Sequence, residues 1–137
     1  MNILITGASG FIGFNLLNKL SANKKYKILA LSRKKNFNKI SKNIKTLKSD
    51  LIMSNLSFNL IKVFSPQILI HLAWQDIPDY SIKKSKINFL KQKLFFQKIN
   101  KLDSVKKIIV TGSCSEHKNK HHLTSKFFVN SKNKIKK

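Results

Sequence analysis

Three glycines, Gly7, Gly10 and Gly13, stand three residues apart between an apolar run, Ile3-Leu4-Ile5-Thr6, and a segment carrying Phe14, Leu16 and Leu17. That order reads as strand, glycine turn, helix. Gly7 can adopt the positive φ that swings the chain sharply off the strand, and Gly10 lets the backbone approach a ligand with no Cβ between them. Gly13, one helical turn later, lets the helix pack close to the strand. The helix N-terminus offers N–H groups and the positive end of the helix dipole, so a pyrophosphate is the expected occupant. An ordinary tight βα turn is the rival reading, and the strand before and helix after weaken it.

Other polar residues fall where such a turn gives them meaning. A second apolar run, Tyr26 to Ser32, ends in Ser32-Arg33-Lys34-Lys35 with no carboxylate. At the end of the second strand of a dinucleotide fold an acidic side chain selects NAD, whereas a basic one accepts the 2′-phosphate of NADP. Arg33 therefore favours NADP, against the rival that these are simply solvated lysines in a lysine-rich chain. Asp50, one of five acidic residues, follows a weak third strand at Ile44 to Leu47. It is read either as a contact to adenine or as a cap for the helix after it. His71 lies inside an apolar run and reads as a core histidine before it reads as a catalyst. His117, His121 and His122 lie in a polar, lysine-rich tail without metal-ligand spacing, so no metal site is expected.

These residues need elements to hold them. Leu56, Leu60, Ile61 and Phe64 are expected on one face of a helix that stops before Pro66. Gln67 to Trp74 is nearly unbroken in its apolar character, as suits a parallel strand covered on both sides. Ile82 to Leu102 places Ile87, Leu90, Leu94, Phe95 and Ile99 at three- and four-residue spacing, predicting a long amphipathic helix with a lysine-rich outer face. Val105 to Val110 forms a fifth strand before Thr111-Gly112-Ser113-Cys114-Ser115-Glu116-His117, and residues 36 to 43 form a polar connection. Strand and helix then alternate five times. The fold class is α/β, a Rossmann-like doubly wound parallel sheet of about five strands with flanking helices.

Composition limits the partners. The 137 residues suit one domain, and 42% hydrophobic content supports a folded core in spite of a formal charge of +23. Arg33 is the only arginine, so lysine scattered through every segment carries the charge. That pattern argues against specific nucleic-acid recognition, which concentrates arginines and aromatics on one face. A basic polyanion- or nucleic-acid-binding protein on a Rossmann-like scaffold remains the alternative function. Cys114 is the lone cysteine, and no stretch approaches the roughly 18 apolar residues of a membrane helix, so a cytoplasmic protein with no membrane partner is expected.

Taken together, ITGASGFIG, Ser49-Asp50-Leu51, LIHLAW at 69 to 74, Asn88 and VTGSCSE at 110 to 116 resemble the extended short-chain dehydrogenase/reductase family, the NAD(P)-dependent epimerases and dehydratases of nucleotide sugars. The resemblance covers nearly the whole chain. It implies that Gly7, Ser9, Gly10, Phe11, Ile12 and Gly13 hold the pyrophosphate of NADP or NAD. It further implies that Asp50 and Leu51 lie along the adenine, that the loop Leu72-Ala73-Trp74 packs against the cofactor, and that Asn88 borders it, with Arg33 added from its place at the end of the second strand. Ser113 would be the active-site hydroxyl on the substrate's reacting oxygen. Family members often dimerise through long helices equivalent to 82 to 102 and 120 to 135, which implies a homodimer.

The resemblance also calls for Tyr-x-x-x-Lys on a helix after Ser113, whose tyrosine exchanges the proton. Tyr26 and Tyr80 lie far upstream. One register, Phe128 to Lys132, leaves phenylalanine where the tyrosine belongs and makes Lys132 the lysine. The other, His122 to Lys126, offers an imidazole at too short a distance from Ser113. The chain stops at Lys137, before the region that binds the nucleotide sugar. It is read as a truncated member: residues 1–137 as the NAD(P)-binding Rossmann domain, C-terminal substrate domain absent, inactive alone, with an exposed edge on strand five.

Overall fold

A computed structural model of the chain describes residues 1–34, 36–75, 79, 81–112 and 129–130. The apolar runs become five parallel strands: β1 (Asn2–Thr6), β2 (Lys27–Ser32), β3 (Ile44–Lys48), β4 (Ile68–His71) and β5 (Lys107–Val110). The helices are α1 (Phe11–Ser21), α2 (Asn55–Phe64) and α3 (Ile82–Ile99). A two-residue strand, β6 (Val129–Asn130), runs antiparallel to β5. The order across the sheet is β3-β2-β1-β4-β5-β6, so chain direction across the sheet reverses between β1 and β4. In open α/β sheets that switch point is where the connections diverge to opposite faces and leave a crevice.

Alternation along each strand divides its side chains between two cores. Leu4, Leu29, Leu31, Leu69 and Ile108 face one core with Ile61 of α2 and Phe95 and Ile99 of α3. Ile3, Ile5, Ile28, Ala30 and Ile70 face the other, with Leu17 of α1 and Phe37. Both faces of the sheet are thus apolar, which is why the strands read as continuous hydrophobic runs.

Several sequence expectations are corrected. The described residues between β2 and β3 carry no helix, so strand and helix do not alternate five times. Side-chain amides hold that crossover instead: Asn38 Oδ1 accepts from the Thr46 amide at 2.8 Å, and Asn43 Nδ2 donates to the carbonyls of Ser21 and Tyr26. Phe37, within the segment read as merely polar, is buried. On α2 only Ile61 is fully buried, while Leu56 is 71% exposed. On α3 the core face is Asn88, Phe95 and Ile99, and Ile87, Leu90 and Leu94 turn outward. The β5 edge expected to be open is paired at Lys107 and Ile108 by β6. Val129 and Asn130, expected within a helix, are those strand residues.

His71 is a core residue. Its Nδ1 lies 2.9 Å from the Thr6 hydroxyl, its neighbour across the β1–β4 pairing, and its ring stacks on Phe95 and tilts against Phe96. Burial pushes its pKa down to about 4. Gln92 is near enough to act in the opposite sense, yet Nε2 is buried with no hydrogen-bond partner, so a second ring proton would have nowhere to go. The unfolded chain protonates this ring near pH 6.5. Between that value and about 4 the unfolded state holds the extra proton, so stability is full above the window and falls as pH drops through it, by up to about 3 kcal/mol. Urea unfolding followed from pH 7 downward should show the loss, and in His71→Leu the slope between about pH 6.5 and 5 should vanish.

Candidate functional site

At the switch point, the ends of β1, β2, β3 and β4 and one face of α3 enclose a cleft of about 240 Å³. Its first wall is the glycine turn. Gly7 takes φ +69°, and a Cβ there would lie 2.7 Å from the Leu72 carbonyl carbon and 2.8 Å from the Ala73 nitrogen. No side chain fits between the two loops. A Cβ on Gly13 would collide with the Gly7 carbonyl oxygen and stand 2.9 Å from Ala8 Cα, so this glycine seats α1 against the turn. Gly10 differs, because a Cβ there meets only the Gly7 oxygen at 3.4 Å, an ordinary contact. The protein's own packing does not require glycine at position 10; the space before it is left for something else.

Behind that space begins α1. Its N-cap is Gly10, with no side-chain capping bond and no acidic residue in the first turn. The other two helices among the described residues are capped: Ser54 accepts from the Ser57 amide and Ser81 from the Lys84 amide. The first turn of α1 therefore presents its backbone donors and the positive end of its dipole to the cleft, a setting suited to an anionic group. Ser9 lines the cleft beside it.

The opposite end is formed by Leu31, Ser32 and Arg33 after β2 and by Ser49, Asp50 and Leu51 after β3. Asp50 does not cap α2, whose cap is Ser54; its Oδ1 accepts from the Leu51 amide at 2.7 Å and its Oδ2 from Lys91 Nζ at 2.9 Å. Burial acts to raise the Asp50 pKa, but the Lys91 and Leu51 hydrogen bonds and the charges of Lys91 and Arg33 outweigh it, leaving the carboxyl below its ordinary value.

The remaining wall is the loop after β4, with Leu72, Ala73, Trp74 and Gln75. Asn88 of α3 fastens it. The Asn88 carbonyl accepts from the Gln75 amide at 2.9 Å, while Nδ2 donates to the carbonyls of Gln75 and Lys84. Asn88 lines the cleft, but with its amide committed to the loop it acts by holding Leu72 and Ala73 in place.

Of the residues expected from the sequence, Gly7, Ser9, Gly10, Arg33, Asp50, Leu51, Leu72, Ala73 and Asn88 come together around this cleft. Gly13 lies beneath it, and the side chains of Phe11 and Ile12 turn outward, 87% and 61% exposed. Ser113 and Lys132 lie outside the described residues, as do Phe128, His122 and Cys114. Lys91 and Gln75 were not expected. Lys91 stands three residues after Asn88 and four before Phe95, a spacing that puts it on their face of α3. Among the described residues no cluster of His, Cys, Asp or Glu could hold a metal, and no helix is long and apolar enough to cross a membrane.

The sequence profile of the NAD dependent epimerase/dehydratase family matches residues 3–132. Among solved structures, the chain is similar to a UDP-glucose 4-epimerase from Thermotoga maritima, at 23% identity and TM-score 0.68, over 82% of this chain and 38% of that one. A Bacillus cereus UDP-glucuronic acid 4-epimerase, in complex with UDP-glucuronic acid and NAD, matches at 18% identity and TM-score 0.72, over 95% and 46%. A yeast methylglyoxal/isovaleraldehyde reductase complexed with NADPH matches at 19% identity and TM-score 0.66, over 82% and 37%. Identities this low establish the shared fold. The chain spans less than half the length of each of these three proteins. No curated protein matches it significantly.

The glycines make a paired test of the cleft. Gly13→Ala should destabilise the fold by about 1 to 3 kcal/mol, because the turn beneath it has no room to yield. Gly10→Ala should leave the melting temperature within a few degrees while abolishing ligand binding in the cleft. Thermal melts and dinucleotide titration of the two variants separate the roles.

Proposed function

The chain belongs to the NAD dependent epimerase/dehydratase family, and from that premise we propose that residues 1–137 are its nicotinamide-dinucleotide-binding Rossmann unit, with NADP the preferred cofactor. The observation that carries the reading is Gly10: a position whose own surroundings would tolerate a side chain is glycine, at the uncapped start of α1, in a cleft at the sheet's switch point. A pyrophosphate fits that space, with Ser9 and the first-turn amides of α1 as its donors. The adenosine falls between the β2 and β3 ends, where Arg33 and the absence of a carboxylate after β2 suit a 2′-phosphate. Leu72, Ala73 and Trp74 then border the half that carries the nicotinamide.

When bound, the cofactor supplies hydride transfer to or from a substrate carbon. This chain's role is to bind and orient it. Family chemistry further assigns Ser113 to the substrate oxygen and Lys132 to the nicotinamide ribose, with a nucleotide sugar as the substrate class of an epimerase, dehydratase or reductase. In the register Phe128 to Lys132 a phenylalanine, which cannot move a proton, takes the tyrosine position, while Val129 and Asn130 stand in β6 and not in the helix the motif calls for; with either that register or His122 to Lys126, this stretch by itself binds cofactor without turning substrate over. The exposed Ile87, Leu90 and Leu94 of α3 suit burial against a second copy, and the lone Cys114 suits the reducing cytoplasm.

Trp74, the only tryptophan, stands in the cleft lining and provides the readout. Titration with NADPH should transfer energy from Trp74 to the reduced nicotinamide, saturably, and at least about tenfold more tightly than with NADH. Absence of saturation with either at millimolar concentration overturns the reading. So does a response matched by short polyphosphate and lost as salt is raised, since that is the behaviour of a general polyanion binder.

A further inference from the structure

Gln75 is held by α3 at three points. Its amide donates to Asn88 Oδ1 at 2.9 Å, its carbonyl accepts from Asn88 Nδ2 at 2.9 Å, and its Oε1 accepts from Lys91 Nζ at 2.7 Å. The third bond differs from the other two, because the Lys91 ammonium also donates to Asp50 Oδ2 at 2.9 Å, at the end of β3. One cation joins the two walls of the cleft.

The Lys91 side chain is only 18% exposed and shares its face of α3 with the buried Asn88 and Phe95, so water competes for its ammonium far less than for that of a surface lysine. Both of its bonds are charge-assisted. Asp50 is placed differently: it is 36% exposed, it lines the cleft, and each of its oxygens has one hydrogen-bond donor within the protein, Lys91 on Oδ2 and the Leu51 amide on Oδ1. A carboxylate offers about four acceptor positions, so Asp50 keeps capacity for a ligand.

A donor on that ligand, such as the exocyclic amino group of a base, adds to the carboxylate without displacing Lys91. Fixing the carboxylate fixes the ammonium bonded to it, and with the ammonium the side chain of Gln75. The loop that borders the other half of the cleft is then already ordered when the rest of the ligand settles, which is positive cooperativity carried by restricted motion.

We propose that Lys91 is a positioning residue that couples the two halves of the cleft: a base held at Asp50 tightens the loop from Leu72 to Gln75 through the Lys91 bridge, and the tightened loop in turn favours the base. The inference rests on the cleft being a dinucleotide site. The coupling runs through groups that NADP and NAD share, so it strengthens both alike.

The test uses the full chain and adenosine, which supplies the base without placing a phosphate at the glycine turn. The readout is the Gln75 amide, whose exchange with solvent reports the hold of α3 on the loop. Saturating adenosine should slow that exchange about fivefold. In Lys91→Met, which keeps the apolar stem and removes the ammonium, saturating adenosine should change it by less than about 1.5-fold. Gln75→Met cuts the bridge from the loop side and should lose the response at that amide in the same way, whereas Lys91→Arg should retain it. By reciprocity, reduced nicotinamide mononucleotide should bind the adenosine-saturated chain about fivefold more tightly than the free chain, and Lys91→Met should abolish that gain. A brace with no part in coupling would speed exchange in the ligand-free Lys91→Met chain yet leave the slowing by adenosine intact, and that result overturns the proposal. So does an unaltered chain that binds adenosine with no change at Gln75. If the unaltered chain binds neither adenosine nor NADPH, the cofactor reading itself fails and this inference with it, an outcome distinct from binding without coupling.

Discussion

The close passage of three backbones at the end of β1 is the constraint on which the rest of the site depends. Gly7 leaves the strand in a left-handed conformation, pressed against the Leu72–Ala73 peptide, and Gly13 lies on the Gly7 carbonyl. Neither contact leaves room for a methyl group. Together they fix where the β4 loop begins and at what angle α1 departs, so the aim of that helix into the cleft follows from backbone sterics before any side chain contributes.

A second constraint is the inner face of α3. Asn88 clamps the loop after β4, Lys91 reaches Asp50 beyond the sheet edge of the cleft, and Phe95 stacks on His71. One helical face thus joins the floor of the site to the deepest region of the core. Asn88 and Lys91 are costly to bury and Phe95 is not, yet all three are placed by the same three- and four-residue spacing. A rotation of the helix would disturb the clamp, the ion pair and the aromatic stack at once.

The glycine turn and the parallel strands were legible in the sequence because each has a strict physical signature: glycine where a Cβ cannot go, and unbroken apolar runs where both faces are covered. The helices were less so. On α3 the apolar residues fall into two stripes, and the spacing of Ile87, Leu90 and Leu94 is as regular as that of the buried set, so periodicity alone could not say which side faces inward. The buried stripe begins with Asn88, a polar residue that an apolar pattern passes over. Lys91 was hidden by composition, since in a chain so rich in lysine a single inward one carries no mark. The cap role considered for Asp50 failed because Ser54, four residues on, was the better-placed acceptor. Ser113 and Lys132, legible through family resemblance, lie outside the described residues.

The helix-free crossover from β2 to β3 has a consequence for dynamics. A helix there would open cooperatively, with many backbone bonds breaking together. This segment is held by the side-chain oxygens of Asn36, Asn38 and Thr46 and the amide of Asn43, by isolated backbone bonds, and by Phe37 buried in the core. Such bonds are not linked in a helical ladder, so the burial of Phe37 is what ties their opening to that of the core. Arg33 stands at the head of this segment, whereas the glycine turn is built into the rigid junction of β1, β4 and α1. The two ends of the cleft are therefore built differently, one from backbone packed against backbone and the other from a crossover tied by side-chain amides and by the buried Phe37.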